Sequence, residues 1–477
     1  MFRRRIIIIA DACGARQACS YGSTVATQHI YAAAISAAPE EACGVPESKA
    51  RATRSGCALS KRRTDSLLAP FGVRSFRYQW PADLGTSCAF EMETIILGWY
   101  VLVETQSVLL LTVFAALQFM GTLLAPMFGV VADRVGTRNL LCAMRVVYTV
   151  LALTLLTFTF AGVLTPIHVF VITALMGLVR PSDLAMRHAL VGETMPVHLL
   201  MAGMSVSRTT SDAARIAGAI TGAGLVAVLG MGAAYVVVTA LYAGSLALTL
   251  KVSNTRYRRT AEGAAETPRP SPWRELREGL AYVRATPQLL ATMILAFLLN
   301  LTAFPLANGL LPYVAKEIYR TDQTGLGYMV AGVASGALLG SLALSRYGSS
   351  VRAARVMIVS SLVWYGLMLI FAQLSHGPSG IFMLFLIGFA QSLSQVPMAA
   401  MLLRNSAEAL RGRVMGIRML AIYGLPIGLL VSGPLIARFG YPATATLYSV
   451  IGASFAVWIA VHWRDHLWRR DAAANRR

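Results

Sequence analysis

Charge is scarce in this chain. Only 13% of its 477 residues are Asp, Glu, Lys or Arg, against roughly a quarter in an ordinary soluble protein. Acids are scarcer still, 22 against 42 basic residues, which leaves a net charge of +20 and a pI near 10.2. Such a balance can mark a nucleic-acid binder. Here the basic residues gather in short connections between apolar runs, as membrane-orientation signals do, so nucleic acid is not an expected partner. Cysteines number six, and no CxxC pair occurs, so the spacing fits no zinc pattern and no metal is expected. Cys13, Cys19, Cys43 and Cys57 precede the first long apolar run, and Cys88 and Cys142 suit small packing positions in helices. There is no P-loop, no HExxH and no GxSxG. Neither an enzyme nor a resident cofactor is therefore expected, and any work the protein does must draw on an ion gradient rather than on ATP.

What the chain has is apolar length. It is 56% hydrophobic with a mean hydropathy of +0.60. A bilayer-crossing helix needs about 20 apolar residues, and twelve such runs can be laid down: 77–103, 108–131, 139–160, 166–189, 199–229, 232–250, 288–312, 324–346, 353–374, 380–403, 414–437 and 441–463. The expected fold is an all-α polytopic membrane protein of twelve transmembrane helices in two pseudo-symmetric halves. Arg134, Arg138, Arg187, Arg346, Arg352, Arg355, Arg404, Arg411 and Arg413 lie at or near connections on one side, together with the basic connection 251–287. Lys316, Arg320 and Arg438 lie on the other. This bias places both termini in the cytoplasm.

Segment 1–66 is rich in Ala, Ser, Arg and Cys without sustained periodicity, and reads as a disordered extension or the product of an over-long start. Residues 67–250 then form one six-helix half and 288–463 the other, with a basic tail over 464–477. The connection 251–287 holds a Thr-Pro-Arg-Pro-Ser-Pro run at 267–272, which is linker composition. Its later part, Trp273 to Thr286, puts Trp273, Leu276, Leu280 and Val283 on one helical face, an arrangement suited to lying along a membrane surface.

Between runs 2 and 3 stands Gly129-Val-Val-Ala-Asp133-Arg134-Val-Gly136-Thr-Arg138. A weak echo, Ser345-Arg346-Tyr-Gly348, occupies the matching place in the second half, keeping Arg and Gly and losing Asp. Internal repeats of this kind mark many secondary transporters. The ten-residue stretch resembles the signature loop of the major facilitator superfamily, Gly-x-x-x-Asp-Arg-x-Gly-x-Arg, matched by Gly129, Asp133, Arg134, Gly136 and Arg138. Asn139 departs from a further basic residue often seen there. The resemblance implies a gating loop in which Asp133 latches the two halves, with Arg411 or Arg413 as candidate partners. By residue type, Gly136 permits the turn and Gly129 a close helix approach.

A narrower resemblance, to the enterobactin-exporter and multidrug efflux branch, rests on Arg187 to Glu193, Pro196, Ala214 to Gly218, Arg411 to Gly416, and Gly98-Trp99. It implies export of siderophores, macrolides or other amphipathic molecules in exchange for protons. Gly218 and Gly222 also resemble the superfamily's antiporter motif, but the proline that normally follows Gly222 is missing. The stripe Gly332, Gly336, Gly340 is the spacing of close helix packing.

Ionisable residues inside membrane runs are costly and are functional candidates by default. Run 1 offers Asp83, Glu91 and Glu93; the last two are two residues apart and point to nearly opposite sides. Glu93 and Asp83 are the first proton or substrate candidates. Asp183 is a third, although its i, i+4 spacing to Arg187 equally suits a structural pair. Arg208, Asp212 and Arg215 share one face of run 5, where the flanking arginines favour a charged Asp212 and a structural or gating network. Asn300 and Asn308 in run 7, with Gln391 and Gln395 in run 10, are candidate cavity-lining groups. The function expected is a secondary transporter, a proton-coupled exporter of small amphipathic molecules, monomeric and in the inner or plasma membrane. Its partners are a small-molecule substrate, protons and the lipid bilayer. Alternatives are a lysophospholipid flippase-like transporter and a non-transporting receptor or assembly protein of the same fold.

Overall fold

The computed structural model describes residues 69–253, 272–347, 352–407 and 410–467. The 1–66 extension, most of the proline-rich linker and the end of the basic tail lie outside the described residues. Where water is absent every backbone polar group must be satisfied within its own segment, and long apolar runs answer that as helices. Span 1 is Arg74–Thr105, span 3 Thr137–Phe160, span 4 Pro166–Thr194, span 8 Gln323–Tyr347, span 9 Ala353–Gln373, span 10 Gly377–Arg404 and span 12 Tyr441–His462. Spans 5 and 6 run as one helical string, Val197–Leu250, broken only at Gly230. That glycine has φ of 80°, a backbone turn that side-chain-bearing residues rarely adopt, and it falls where the sequence predicts the boundary.

Three spans depart from the continuous helices predicted. Span 2 divides into Val108–Leu117, a tight 3-10 turn at Met120–Leu124, and Ala125–Val135. The break lies where its backbone presses on span 4: a methyl at Gly121 would collide with the Leu178 carbonyl, and one at Gly177 with the Leu117 carbonyl. Span 7 comprises Pro287–Thr302, then π-turns at Pro305–Gly309 and Val314–Ile318 that flank Leu311–Tyr313, so it extends beyond its predicted end. Pro305 withholds a backbone donor there, and π-turns inside helices recur at functional sites. Span 11 is likewise divided, into Arg411–Ala421 and Gly424–Phe439.

The amphipathic helix of the central connection is Pro272–Ala285. On its apolar face Val283 and Leu280 join Leu289 and Met293 of span 7, Leu402 of span 10, and Val414 and Ile417 of span 11. The side chains of Trp273 and Leu276, at the start of the same face, lie outside the described residues.

Each half has its own apolar core, one around Met92, Leu141, Tyr148 and Tyr235, the other around Leu299, Trp364, Ile387 and Tyr441. The halves meet through spans 2 and 11, 5 and 8, and 1 and 7. These seams are tightest away from the basic end of the bundle. Gly433 faces Thr112 and the Leu109 backbone, Gly327 faces Ala219 and Ala223, and Gly98 packs near Pro312.

Candidate functional site

In the loop between spans 2 and 3, Gly136 has φ of 94° and returns its N–H to the Ala132 carbonyl at 2.8 Å, ending one helix as it opens the next. Its glycine requirement is therefore real. Gly129 differs: a methyl there would meet open space, and the close approach expected of it is made instead by Gly121 and Gly177, where the chain is broken. Arg138 binds the Leu250 carbonyl and the Asn139 side chain, tying the start of span 3 to the end of span 6. Arg134 is exposed. Arg413 meets Glu278 of the connection helix at 2.6 Å. The side chains of Asp133 and Arg411 lie outside the described residues, so the latch stays a proposal.

Deeper in the first half, span 1 places Asp83 between two arginines. Arg145 of span 3, fully buried, binds Asp83 Oδ1 and donates to the Ser245 carbonyl at 3.2 Å. Arg187 of span 4 pairs with Asp183, reaches Asp83 at 3.8 Å, and donates to Ser87 Oγ at 2.7 Å. Gln79 clamps the Arg187 carbonyl at 3.0 Å. Two acids and two arginines neutralise one another here, which is what makes their burial tolerable. The i, i+4 pair predicted for Asp183 and Arg187 forms, within this larger cluster.

Glu93 lies ten residues further along span 1 and is buried within the first half. It accepts a hydrogen bond from the Tyr242 hydroxyl at 2.9 Å. Tyr235 lies beside the same carboxyl, short of a full hydrogen bond. Tyr242, Tyr148 and Phe90 form a ring cluster, with centroids 4.9 to 5.7 Å apart. Arg180 of span 4 sits 4.7 Å over Phe90 and donates to Gln118 at 2.6 Å and Thr94 at 3.0 Å. Among the described residues Glu93 makes no ion pair.

Glu91, on the other side of span 1, faces the seam. Arg215 of span 5 stands 3.8 Å from it and donates to Asn308 Oδ1 of span 7 at 3.2 Å, so a polar link crosses between the halves. Gly218 and Gly222 let span 5 approach closely enough for this; a methyl at either would lie 2.8 Å from the Cys88 carbonyl or the Met92 Cα. Arg208 and Asp212 pair separately at 3.4 Å, so the network predicted along span 5 is two units rather than one. A second link crosses at the far end, where Lys316 donates to Gln106 Oε1 at 2.8 Å and the Leu102 carbonyl at 3.4 Å, capping the C-terminus of span 1. Asn308 and Lys316 each belong to a π-turn of span 7.

The remaining predicted lining residues behave differently. Asn300 donates to the Ala296 carbonyl of its own helix at 2.9 Å. Gln391 is buried with its side-chain oxygen unbonded, and the Gln395 amide nitrogen is likewise without a bond. The glycine stripe of span 8 lies against the Ile381, Phe385 and Phe389 carbonyls of span 10, as close packing requires. Sequence reasoning did not single out Arg145, Arg180, Gln118 or the tyrosines as site residues. A lone arginine within an apolar run was the available signal for Arg145.

Buried charge in one six-helix half, polar links to a second half and divided helices at the seam are the build of secondary transporters of the two-repeat kind. The chain belongs to the major facilitator superfamily, whose family model matches residues 84–429 and, in an overlapping second match, 293–476. No curated protein matches the sequence. Similar solved structures include the nucleoside transporter NupG (16% identity, TM-score 0.61), which covers 83% of this chain and 100% of its own. The POT family transporter PepTSo is 12% identical with a TM-score of 0.66, covering 83% and 99%. A bacterial homolog of the human lysosomal transporter Spinster, in an inward-facing and unoccupied conformation, is 11% identical with a TM-score of 0.63, covering 83% and 99%. At these identities the likeness shows the fold alone.

Proposed function

We propose that this major facilitator protein is a proton-coupled exporter of small amphipathic molecules, with Glu93 as its proton-carrying group. The observation that carries the reading is a carboxyl buried mid-span, bonded to Tyr242 and free of any ion pair among the described residues. A carboxyl held by an arginine is committed to that partner. One held by a phenol can give up and regain a proton as water reaches it from either side. Asp83, paired with two arginines, serves as the structural counter-ion instead. The arginine bias supports a cytoplasmic position for both termini. The state described is then closed toward the outside by Lys316 and Gln106, and the protein acts as a monomer in the inner or plasma membrane. Export is the direction implied by the branch resemblance over 187–222.

The test uses inverted membrane vesicles carrying a fluorescent probe of the pH gradient. Siderophores, macrolides, dyes and lysolipids are added in turn. At least one class is expected to dissipate the gradient with the wild-type protein and not with Glu93→Gln. Dissipation that survives in Glu93→Gln contradicts the assignment. Lysolipid movement with no proton flux would favour a flippase.

A further inference from the structure

The arginines inside the spans are almost all accounted for. Arg145 and Arg187 are held by Asp83 and Asp183, Arg215 by Glu91 and Asn308, Arg208 by Asp212, and Arg180 by Gln118 and Thr94. Among the described arginines of the spans that are not exposed, Arg418 is the exception. It lies in the Arg411–Ala421 helix of span 11, seven residues in, or about 10 Å from the helix start at 1.5 Å per residue. It is half-buried, and among the described residues its guanidinium has neither an acid partner nor a hydrogen bond. Its helix neighbours Val414, Ile417 and Ala421 are buried and apolar. The charged group that acts on it is Arg208, on span 5 of the other half.

Like charges repel, and five guanidinium donors without acceptors are costly in an apolar setting. An anion between them removes both penalties. The planar fork of a guanidinium matches carboxylate, sulfonate and phosphate oxygens in pairs. Arg208 is well exposed and only loosely held by Asp212, so it can turn toward such a group. Seven residues beyond Arg418 comes Leu425, and with Leu429, Ala115 and Ala116 it forms an apolar seam edged by the partly buried Phe119 and Phe304.

Resting on the exporter reading, we infer that the transported molecule is an amphipathic anion. Arg418 holds its carboxylate, sulfonate or phosphate head, Arg208 joins as the halves close, and the apolar body lies toward Phe119 and Phe304.

The full chain in phosphatidylcholine nanodiscs is titrated with three fluorescent amphiphiles. They share one dansyl-alkyl body and end in a carboxylate, a primary amide or an ammonium group. The carboxylate is expected to bind about tenfold or more tighter than the amide, the scale of a charge-assisted pair. Arg418→Gln should bring that ratio near one with amide affinity unchanged, and Arg418→Lys should keep part of it. Retained amide binding shows that the variant is folded. Equal affinities in the wild type, an ammonium preference, no binding of any of the three, or an unchanged ratio in Arg418→Gln would overturn the inference. Repeating the titration with phosphatidylglycerol in the discs separates the sources. Competition identifies a lipid headgroup as the anion held, and its absence a soluble amphiphile. Proton flux is measured separately in vesicles. If the carboxylate preference holds without flux, antiport fails and the anion site stands; flux without the preference gives the reverse.

Discussion

The two halves share an architecture and divide the chemistry. Among the described residues, the first half buries Asp83, Glu93, Arg145, Asp183 and Arg187. Among the described residues the second half fully buries no charge, Arg418 being half-buried; its interior polar groups are neutral, as in Ser361 with Ser394 at 2.7 Å and Thr302 with Tyr365 at 2.7 Å. Spans 1 and 7 hold matching places, yet span 1 is one unbroken helix of 32 residues while span 7 carries two π-turns. The difference teaches a division of labour. In the proposed function the charged half holds the proton chemistry, and the neutral half reaches across to it through Asn308 and Lys316.

The comparison can be broken most forcefully at the buried cluster. Asp83→Asn leaves Arg145 without its acid, and a broken buried pair costs about 3–5 kcal/mol. Thermal unfolding in detergent should show that loss, whereas Ser361→Ala, its neutral counterpart, should cost about 1 kcal/mol. Equal losses would erase the distinction between the halves. At the seam, Gly222→Ala drives a methyl to 2.8 Å from the Met92 Cα and is expected to cost about 1–3 kcal/mol. Gly129→Ala meets open space and should leave stability unchanged or raise it by up to about 1 kcal/mol. The smallest effect is that of Lys316→Ala. Losing the cap on span 1 should favour the state open at that end by about 1 kcal/mol. Spin labels across that end would show the open population growing about fivefold, as 1 kcal/mol implies.

Much of this was legible in the chain. Apolar run length located the spans, the gap between runs 5 and 6 fell at the break seen at Gly230, and spacing alone gave the pair of Asp183 with Arg187. Pairings between distant spans were not legible, because Asp83 and Arg145 meet only after three helices have packed. Nor was the inward aim of Glu93, which depends on how span 1 is rotated against Tyr242. The unwinding of span 7 had one local sign, Pro305. The break in span 2 follows from pressure by span 4, which no local pattern records.

The most direct test sets Glu93→Gln against Glu91→Gln in the same proteoliposomes, following substrate-driven proton flux. Both carboxyls sit on span 1, but one faces Tyr242 inside the charged half and the other faces Arg215 at the seam. Proton flux should vanish in Glu93→Gln while substrate binding persists, and Glu91→Gln should slow the cycle with proton coupling intact. Full coupling in Glu93→Gln, or its loss in Glu91→Gln alone, would move the proton route out of the buried half and onto the seam.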